Sequence, residues 1–372
     1  MVDIKRSVCS AIFLISLLML ASCTPVSSPP EKTAVPTWES PTALPEIPTR
    51  QLRIAAGSPI DERHLWGSVL ATAVAQNIPH TEMSVKTTSS RMEDLKLLLN
   101  GQVHMAFAYD YHIVLANQGN LLAAFPNAPV ETLSIKCGVE VDRAAFPDYS
   151  QPARLVLPLF EQPLLFITTD ISGIADLNDL RGKRISIGSP DSVSAELAGF
   201  VLDPLGIDPL HDLIIETFTM DEATIALGNG EIDAVLWSGR IPSPEMDTAF
   251  STATSKMVMI PIGEAEAAQI TRAHPGIFHQ AAIPATVYPG LEADINTLAV
   301  TFGLAAMEDF PADEMTQVVS ALFEHPPENL LDLNSTNSLT NEVNISLIDS
   351  DASPYLHPGS LAYFAQHVLL EP

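Results

Sequence analysis

Three short polar loops hold the best candidates for binding residues in this chain. Each follows an apolar, strand-like run and precedes a helix-like run; the loops are Gly57-Ser58, Thr87–Arg91 and Ser189–Ser194. In open α/β sheets, ligands bind beyond the carboxyl ends of the strands, where helix N-termini offer backbone amides. For any single serine, an ordinary helix N-cap is the better interpretation. Because two predicted lobes contribute loops, we expect a binding cleft. Its candidate residues are Gly57, Ser58, Thr88, Ser89, Ser90, Arg91, Asp191, Ser192, Val193 and Ser194.

Counter-ions for an anionic ligand are scarce in this sequence. The 372 residues include 18 Lys and Arg against 45 Asp and Glu, a net charge of −27, and no Lys or Arg follows Arg272. Arg91 stands at a predicted helix start and could bind a carboxylate through two parallel hydrogen bonds. Arg63 and Arg240 are the next candidates. It is equally open that Arg91 pairs only with an acid of its own chain, such as Glu93.

Other kinds of chemistry have little support in the sequence. No nucleophile elbow, Walker A loop or G-x-G-x-x-G turn occurs, and the histidines are scattered without metal-ligand spacing. We therefore expect no enzyme activity, no cofactor and no metal. The excess of acid argues against a nucleic-acid partner, since phosphate neutralisation needs clustered Lys and Arg. The three cysteines Cys9, Cys23 and Cys137 are too few for a disulfide framework.

The N-terminus has the pattern of a secretory lipoprotein. Lys5 and Arg6 precede an apolar run over 11–21, which meets Ser22 and Cys23. This pattern predicts a signal peptide over residues 1–22 and lipidation at Cys23, although the cysteine could be accidental. Residues 23–50, rich in Pro, Ser and Thr, predict a flexible tether. We expect an extracytoplasmic protein anchored to a membrane by its lipid.

The remaining chain alternates strand-like and helix-like segments. Strands are predicted over 52–56, 84–88 and 103–108, with helices over 65–78 and from Ser90 to Gly101. Ser90 and Glu93 should form a capping box at the second helix. Strand, helix, strand, helix, strand is the pattern of a parallel sheet.

A second unit of the same kind follows. Its strands are predicted over 184–187, 213–219 and 232–237, with one helix over 194–205 and another capped by Asp221. The proline-interrupted run over 155–168 and the run over 257–261 are expected to cross between the lobes. Two more helices are predicted over 312–324 and 360–370. The predicted fold is a two-lobed α/β clamshell like a type II periplasmic binding protein, with paired crossover hinge strands. Lobe 1 would hold residues 51–160 and 262–372, and lobe 2 residues 161–261.

Residues 52–367 resemble the TAXI family, the solute-binding subunits of TRAP transporters. Five segments carry the resemblance. They are Thr88–Leu99 with Gly101; Leu177–Gly188; Gly230–Ala234 with Gly239, Pro242 and Pro244; Ile283–Gly290 with Tyr288; and His357–Leu361. The resemblance implies a receptor that captures an organic acid or an amino acid such as glutamate. It also implies a TRAP-type membrane permease as the partner and a role for Gly239 near the ligand.

Several positions depart from the family pattern. Arg91 stands where the family has a ligand-facing serine, Asp94 replaces an asparagine, and Tyr109 replaces a common glutamine. A loop that is glycine-rich in the family is here Ile60–His64, and a second-lobe glycine loop becomes Asp191–Ser194. Side chains in place of glycine block close approach of backbone to ligand. Acids at 61 and 191 could instead hold an ammonium group.

Three other functions stay open at this point. The same clamshell could present its closed form to a sensor kinase. It could be a transferase built on the two-lobed fold, although the chain lacks a convincing nucleophile. It could also be a divergent family member whose ligand binding is altered or lost, as the changed loops suggest.

Overall fold

Strands and helices alternate as predicted in a computed structural model, which describes residues 48–118, 152–190, 192–252, 255–324 and 355–367. The predictions for residues 1–47, Cys137 and Asp191 lie outside these ranges. The elements before the first crossing are β1 (Arg50–Ala55), α1 (Glu62–Asn77), β2 (Thr81–Lys86), α2 (Arg91–Leu99), β3 (Met105–Tyr109) and α3 (Asp110–Asn117). Strand β3 is buried along its whole length, as expected for an interior strand of a sheet that is covered on both faces.

The second group of elements begins with a long strand. Its members are β4 (Ala153–Thr169), β5 (Arg184–Ser186), α4 (Val193–Leu202), β6 (Ile214–Glu216), α5 (Met220–Gly228), β7 (Ala234–Ser238), α6 (Pro244–Thr252) and β8 (Met257–Ile260). The chain ends with α7 (Glu264–Ala273), β9 (His279–Ile283), β10 (Ile295–Met307), α8 (Ala312–Phe323) and α9 (Pro358–His367). Helices α8 and α9 pack on each other, and α8 also packs on α1.

The two lobes have the same strand order. In the first, the order is β2-β1-β3-β10-β4, with β1 parallel to β2 and β3, and β10 antiparallel to β3 and β4. In the second, the order is β6-β5-β7-β4-β8, with β5 parallel to β6 and β7, and β4 antiparallel to β7 and β8. Each lobe therefore contains a three-stranded parallel unit completed by antiparallel strands, which are β10 and β4 in the first lobe and β4 and β8 in the second. This arrangement confirms the predicted two-lobed, type II clamshell with paired crossover strands.

The first crossover lies where the sequence predicts it. Strand β4 pairs with β10 through Pro163 and with β7 from Leu164 onward, so one continuous strand belongs to both lobes. Pro158 and Pro163 are accommodated inside it. A register shift in the β4–β10 ladder falls beside Gly303, opposite Pro158, as expected because proline cannot donate a ladder hydrogen bond.

The predicted return crossover over 257–261 is wrong. Strand β8 pairs with the second-lobe half of β4, and the return is made by β10, which pairs with β9 at its start and with β3 at its end. Part of the segment between β8 and β10 contacts the second lobe. There the Tyr288 hydroxyl accepts a hydrogen bond from Ser243 N (3.1 Å), and its ring stacks on Phe250. Both β8 and β10 are apolar runs, and their partners, rather than their composition, distinguish them.

Two helix caps differ from the sequence prediction. Helix α5 is capped by Thr219, not by Asp221, because Thr219 and Glu222 form the reciprocal capping box. At α2, the Ser90 hydroxyl accepts from Glu93 N (3.1 Å) as predicted. The Glu93 carboxylate, however, accepts from the backbone and hydroxyl of Ser89, each at 2.7 Å, rather than from Ser90.

Candidate functional site

The loop after β1 is held by a hydrogen-bonded network within the first lobe. Gly57 N donates to the Thr88 hydroxyl oxygen at 2.8 Å, and that hydroxyl donates to the Asp94 carboxylate. Arg63 bonds the same Asp94 carboxylate and also Asp61, whose Oδ1 lies 3.0 Å from Arg63 Nε. Arg63 is only 11 % exposed, and its charge is balanced by two acids of the same chain, Asp61 and Asp94.

Gly57 is required at its position by both conformation and space. Its φ is +63°, and a Cβ there would lie 2.9 Å from Arg63 Nη2 and from the Asp61 carboxylate. The turn therefore brings the backbone close to the Arg63 network. Ser58 contributes its carbonyl oxygen, which accepts from Asp61 N at 2.9 Å at the start of α1.

Burial controls the ionisation of Asp94. It raises the pKa of this carboxyl to about 6, in spite of the hydrogen bond from Thr88 and the positive charge of Arg63. Asp61, which caps α1, has the opposite shift. Its partial burial would raise its pKa, but the hydrogen bonds and charge of Arg63 outweigh burial and lower it. Asp94 is thus a buried acid paired with Arg63.

The second-lobe loop is used mainly to start α4. Ser192 caps the helix by accepting from Ala195 N at 3.2 Å, and Val193 is buried in the core. Ser194 accepts from Ser238 N at 2.8 Å, which ties the helix start to the end of β7. The hydroxyls of Ser192 and Ser194 are therefore used within the fold, one as a helix cap and the other in a hydrogen bond to β7. Asp191 lies outside the described residues.

The two lobes meet at Glu196, in the first turn of α4. Its Oε1 is 3.1 Å from Arg91 Nη2 at the start of α2. Its Oε2 accepts from the Tyr111 hydroxyl and lies 3.1 Å from His112 Nε2, both on α3. Three first-lobe groups therefore converge on one second-lobe carboxylate, which is 17 % exposed.

Tyr109 completes this cluster from the end of β3. The Arg91 guanidinium lies 5.8 Å from the centre of the Tyr109 ring, which stacks on Tyr111. The Tyr109 hydroxyl donates to Gln162 Oε1 on the crossover strand β4 at 3.0 Å. Arg91 and Tyr109, each predicted from the sequence as a ligand-binding residue, thus lie beside one another. Tyr111, His112, Gln162 and Glu196 were not among the predicted residues.

The electrostatics of the cluster favour a charged pair. Burial would raise the pKa of Glu196, but the hydrogen bond to His112 and the charge of Arg91 outweigh it and lower the pKa to about 2. Burial likewise opposes the charge on Arg91, yet Glu196 raises its pKa above the usual value. Burial raises the pKa of Tyr111 well above its ordinary range, so its phenol is a donor. Arg91 and Glu196 are therefore ionised at neutral pH.

A second contact between the lobes lies at a more exposed edge. Arg240 Nη1, just after β7, is 3.4 Å from the Glu62 carboxylate on α1, and the Arg240 guanidinium lies 5.5 Å from the centre of the Phe160 ring. Gly239 precedes it, and a Cβ there would be 2.4 Å from the Trp237 ring. Each of the three predicted counter-ions, Arg63, Arg91 and Arg240, thus has an acidic partner within the chain.

Neither a metal site nor a membrane-spanning helix is found in the part of the chain that the structure describes. Within the described ranges, no three His, Cys, Asp or Glu side chains are grouped so that they could hold a metal ion. In the same ranges, no helix combines the length and the apolar character that crossing a membrane requires.

The amino-acid sequence matches a known protein family. A family model for the NMT1-like family matches residues 54–366, which span both lobes and both crossovers. The chain belongs to the NMT1-like family. The match covers every described residue of the cluster around Glu196.

This NMT1-like protein is also similar to several solved structures. One is the periplasmic aliphatic sulphonate binding protein of Escherichia coli, with 12 % identity, 85 % of this chain and 78 % of that chain covered, and a TM-score of 0.38. A periplasmic sulfonate-binding protein of Methylobacillus flagellatus has 12 % identity, coverage of 87 % and 97 %, and a TM-score of 0.45. PhnD1 of Prochlorococcus marinus, in complex with methylphosphonate, has 10 % identity, coverage of 74 % and 84 %, and a TM-score of 0.39.

Proposed function

We propose that this protein is an extracytoplasmic receptor that captures a small organic solute between its lobes. The observation that carries the proposal is the meeting of Arg91, Tyr109 and Tyr111 of one lobe with Glu196 of the other, beyond the carboxyl ends of parallel strands. In α/β sheets this edge is where ligands bind. Two lobes on shared crossover strands can close on a ligand by hinge bending, which stabilises whichever state binds it better.

The proposed solute is an organic acid or an amino acid. The resemblance to TAXI proteins supports this class, and the first lobe supplies a cation and two further donors of the kind that bind a carboxylate. The residues predicted from the sequence, from Gly57 and Ser58 to Gly239 and Arg240, remain the proposed surroundings of the ligand. Residues 111, 112, 162 and 196 are added to them.

Isothermal titration tests the substrate class directly. The purified protein would be titrated with glutamate, 2-oxoglutarate and related acids, and we expect saturable binding by at least one. Arg91→Ala should reduce that binding at least tenfold. Arg272→Ala, which removes an exposed arginine of α7, should leave it unchanged. If none of these acids binds, the proposed solute class is wrong.

We further propose that the receptor is a lipoprotein that serves a TRAP-type permease. The basic, apolar and Ser22-Cys23 segments support a signal over 1–22, a lipid on Cys23 and a tether to residue 50. Mass spectrometry of the mature N-terminus, compared with Cys23→Ser, tests the anchor. Solute-dependent uptake by proteoliposomes that contain the permease tests the partner, and uptake without this receptor would contradict it.

We keep the division of the described body into two lobes as a proposal, with one change to its limits. The boundary between lobe 1 and lobe 2 stays between residues 160 and 161, near the point where β4 stops pairing with β10 and starts pairing with β7. The second boundary is better drawn within β10 than at residue 262, since Tyr288 bonds Ser243 and Glu292 pairs with Lys256, both in the second lobe.

One observation favours the alternative of a divergent receptor with altered or lost ligand binding. Arg91 is already engaged by Glu196, so an incoming anion meets a cation whose charge is balanced. A structure determined after soaking with the acids above distinguishes the two. Solute density beside Arg91 supports the proposed solute receptor. An empty and occluded cleft supports a divergent receptor with altered or lost ligand binding.

A further inference from the structure

The carboxylate of Glu196 is bound as a ligand carboxylate would be. Both of its oxygens have first-lobe partners: Oε1 has Arg91 at 3.1 Å, and Oε2 has the Tyr111 hydroxyl and His112 Nε2, the latter at 3.1 Å. Hydrogen bonds that join a cation to a carboxylate are about twice as strong as neutral ones. One guanidinium and two further donors thus form a complete carboxylate-binding site on the first lobe.

The other ring nitrogen of His112 supports this assignment. His112 is 1 % exposed, and its Nδ1 has no hydrogen-bond partner among the described residues. A buried N–H without an acceptor is costly, so the favoured tautomer carries its proton on Nε2, where it donates to Glu196. The ring is therefore oriented toward the carboxylate and not toward another part of the first lobe.

The second lobe holds Glu196 in place for this contact. Glu196 lies in the first turn of α4, whose start is capped by Ser192 and tied to β7 through Ser194 and Ser238. The contact of Glu196 with Arg91, Tyr111 and His112 therefore joins the two lobes, and separation of the lobes would break it.

We propose that Glu196 is an intramolecular ligand of the first lobe, which closes the solute-free protein and which a solute carboxylate must displace. Glu196 is then a specificity-determining residue. Because an intramolecular competitor has a high effective concentration, it lowers the apparent affinity for simple monocarboxylates. Solutes that bring additional contacts, or a positive group for the displaced Glu196, are favoured. This role goes beyond the proposed capture of a solute, and it does not require the solute to be known.

Chemical rescue tests the inference without any natural solute. Glu196→Ala empties the first-lobe site, and acetate is the probe that replaces the lost carboxylate. We expect acetate at tens of millimolar to raise the Tm of Glu196→Ala by about 2–4 °C, as a ligand of the native state does. Wild type should not respond, because its site is already filled. Acetamide, which has the same shape without the charge, should have no effect on either protein.

A matched variant distinguishes acetate binding at the first-lobe site from a general effect of salt on stability. Glu245 is an exposed acid on α6 of the same lobe, and Glu245→Ala removes the same groups away from the cleft. Acetate should not stabilise it. Equal shifts in all three proteins, or no shift in a folded Glu196→Ala, would overturn the proposal. Adding Arg91→Gln to Glu196→Ala should abolish the rescue.

Glu196→Gln gives a second measurement should the alanine variant not fold. Glutamine keeps the size of the side chain and removes its charge, so we expect the solute-free protein to open. Small-angle X-ray scattering should then report a larger radius of gyration than wild type, with Glu245→Gln unchanged. An identical radius for wild type and Glu196→Gln would contradict the inference. Neither experiment contains a solute, so their failure leaves the receptor proposal intact, and a failure of glutamate to bind leaves these outcomes unaffected.

Discussion

The carboxylate of Glu196 lies 3.1 Å from the guanidinium of Arg91, although the two residues are 105 positions apart and lie on different lobes. Both side chains are largely buried, with 17 % and 24 % of their surfaces exposed. At this depth solvent screens the pair much less than at the surface. The arginine that the sequence indicates as the counter-ion for a ligand is therefore already paired across the cleft.

This pair should make stability depend on pH in the acid range. In the folded protein the pKa of Glu196 is about 2, against an ordinary value of 4.5. Between these values the unfolded chain binds a proton that the native state does not, so the free energy of unfolding falls as the pH decreases. The difference corresponds to roughly 3 kcal/mol. Urea unfolding of wild type and Glu196→Gln between pH 6 and 2 measures it.

We expect the stability advantage of wild type over Glu196→Gln to be full above about pH 5 and to shrink steadily below it. The other carboxylates titrate in both proteins, so the difference between the two curves isolates Glu196. Parallel curves over this range would show that Glu196 is not held in its ionised form.

Removing Arg91 should destabilise the fold as well as any ligand complex. Arg91→Ala leaves the buried Glu196 with Tyr111 and His112 but without its cation, and hydrogen bonds to charged groups contribute about 1.5–3 kcal/mol. We expect a loss of about 2 kcal/mol in the free energy of unfolding in urea. The control, Arg272→Ala on the exposed face of α7, should change it by less than about 0.5 kcal/mol. Equal effects of the two changes would contradict the importance of the Arg91 contact.

The second interlobe pair should contribute little. Glu62 and Arg240 are 53 % and 40 % exposed and 3.4 Å apart, and ion pairs this accessible contribute about 0–1 kcal/mol. Glu62→Gln should therefore leave both the urea midpoint and the scattering radius near those of wild type. A change as large as that of Glu196→Gln would show that closure depends on the edge of the cleft and not on its centre.

The alternation of strands and helices was predictable because apolar periodicity and caps act locally. Ser90 begins α2 as predicted, and the run around Pro158 and Pro163 is a crossover in both the prediction and the structure. The return crossover was misplaced because β8 and β10 are both apolar, and only pairing separates them. Glu196 was missed for a similar reason. An acid in the first turn of a helix is normally an exposed group that favours the helix dipole, and its burial depends on a lobe far away in sequence.

Gly57 should not tolerate a side chain. Its φ of +63° favours glycine, and a Cβ would lie 2.9 Å from Arg63 Nη2 and from the Asp61 carboxylate. Left-handed backbone costs an L-residue about 1–2 kcal/mol, and displacement of Arg63 weakens its pairing with Asp94. We expect Gly57→Ala to lose at least about 1 kcal/mol in urea unfolding, with the neighbouring Ser58→Ala within about 0.5 kcal/mol of wild type. A neutral Gly57→Ala would show that the turn can relax.

Gly303 on β10 should be equally restricted, for a reason of space alone. A Cβ at this position would lie 2.4 Å from the Leu157 carbonyl oxygen of β4, and the β4–β10 ladder changes register beside it. Since the obstacle is backbone of the other crossover strand, the two strands would have to move apart. Forcing an extra methyl group into a packed site costs about 1–3 kcal/mol, so we expect Gly303→Ala to lower the free energy of unfolding by that amount.

The matched control for Gly303 is Gly263→Ala at the start of α7. There φ is −66° and the nearest atom to an added Cβ is the Glu266 carboxylate at 3.1 Å, the movable end of a side chain. We expect this change to cost less than Gly303→Ala in the same urea experiment. Hydrogen exchange should also show faster opening of β4 and β10 in Gly303→Ala, because the crossover strands lose close contact. If the two alanine variants are equally stable, the crossovers are not packed as closely as these distances indicate.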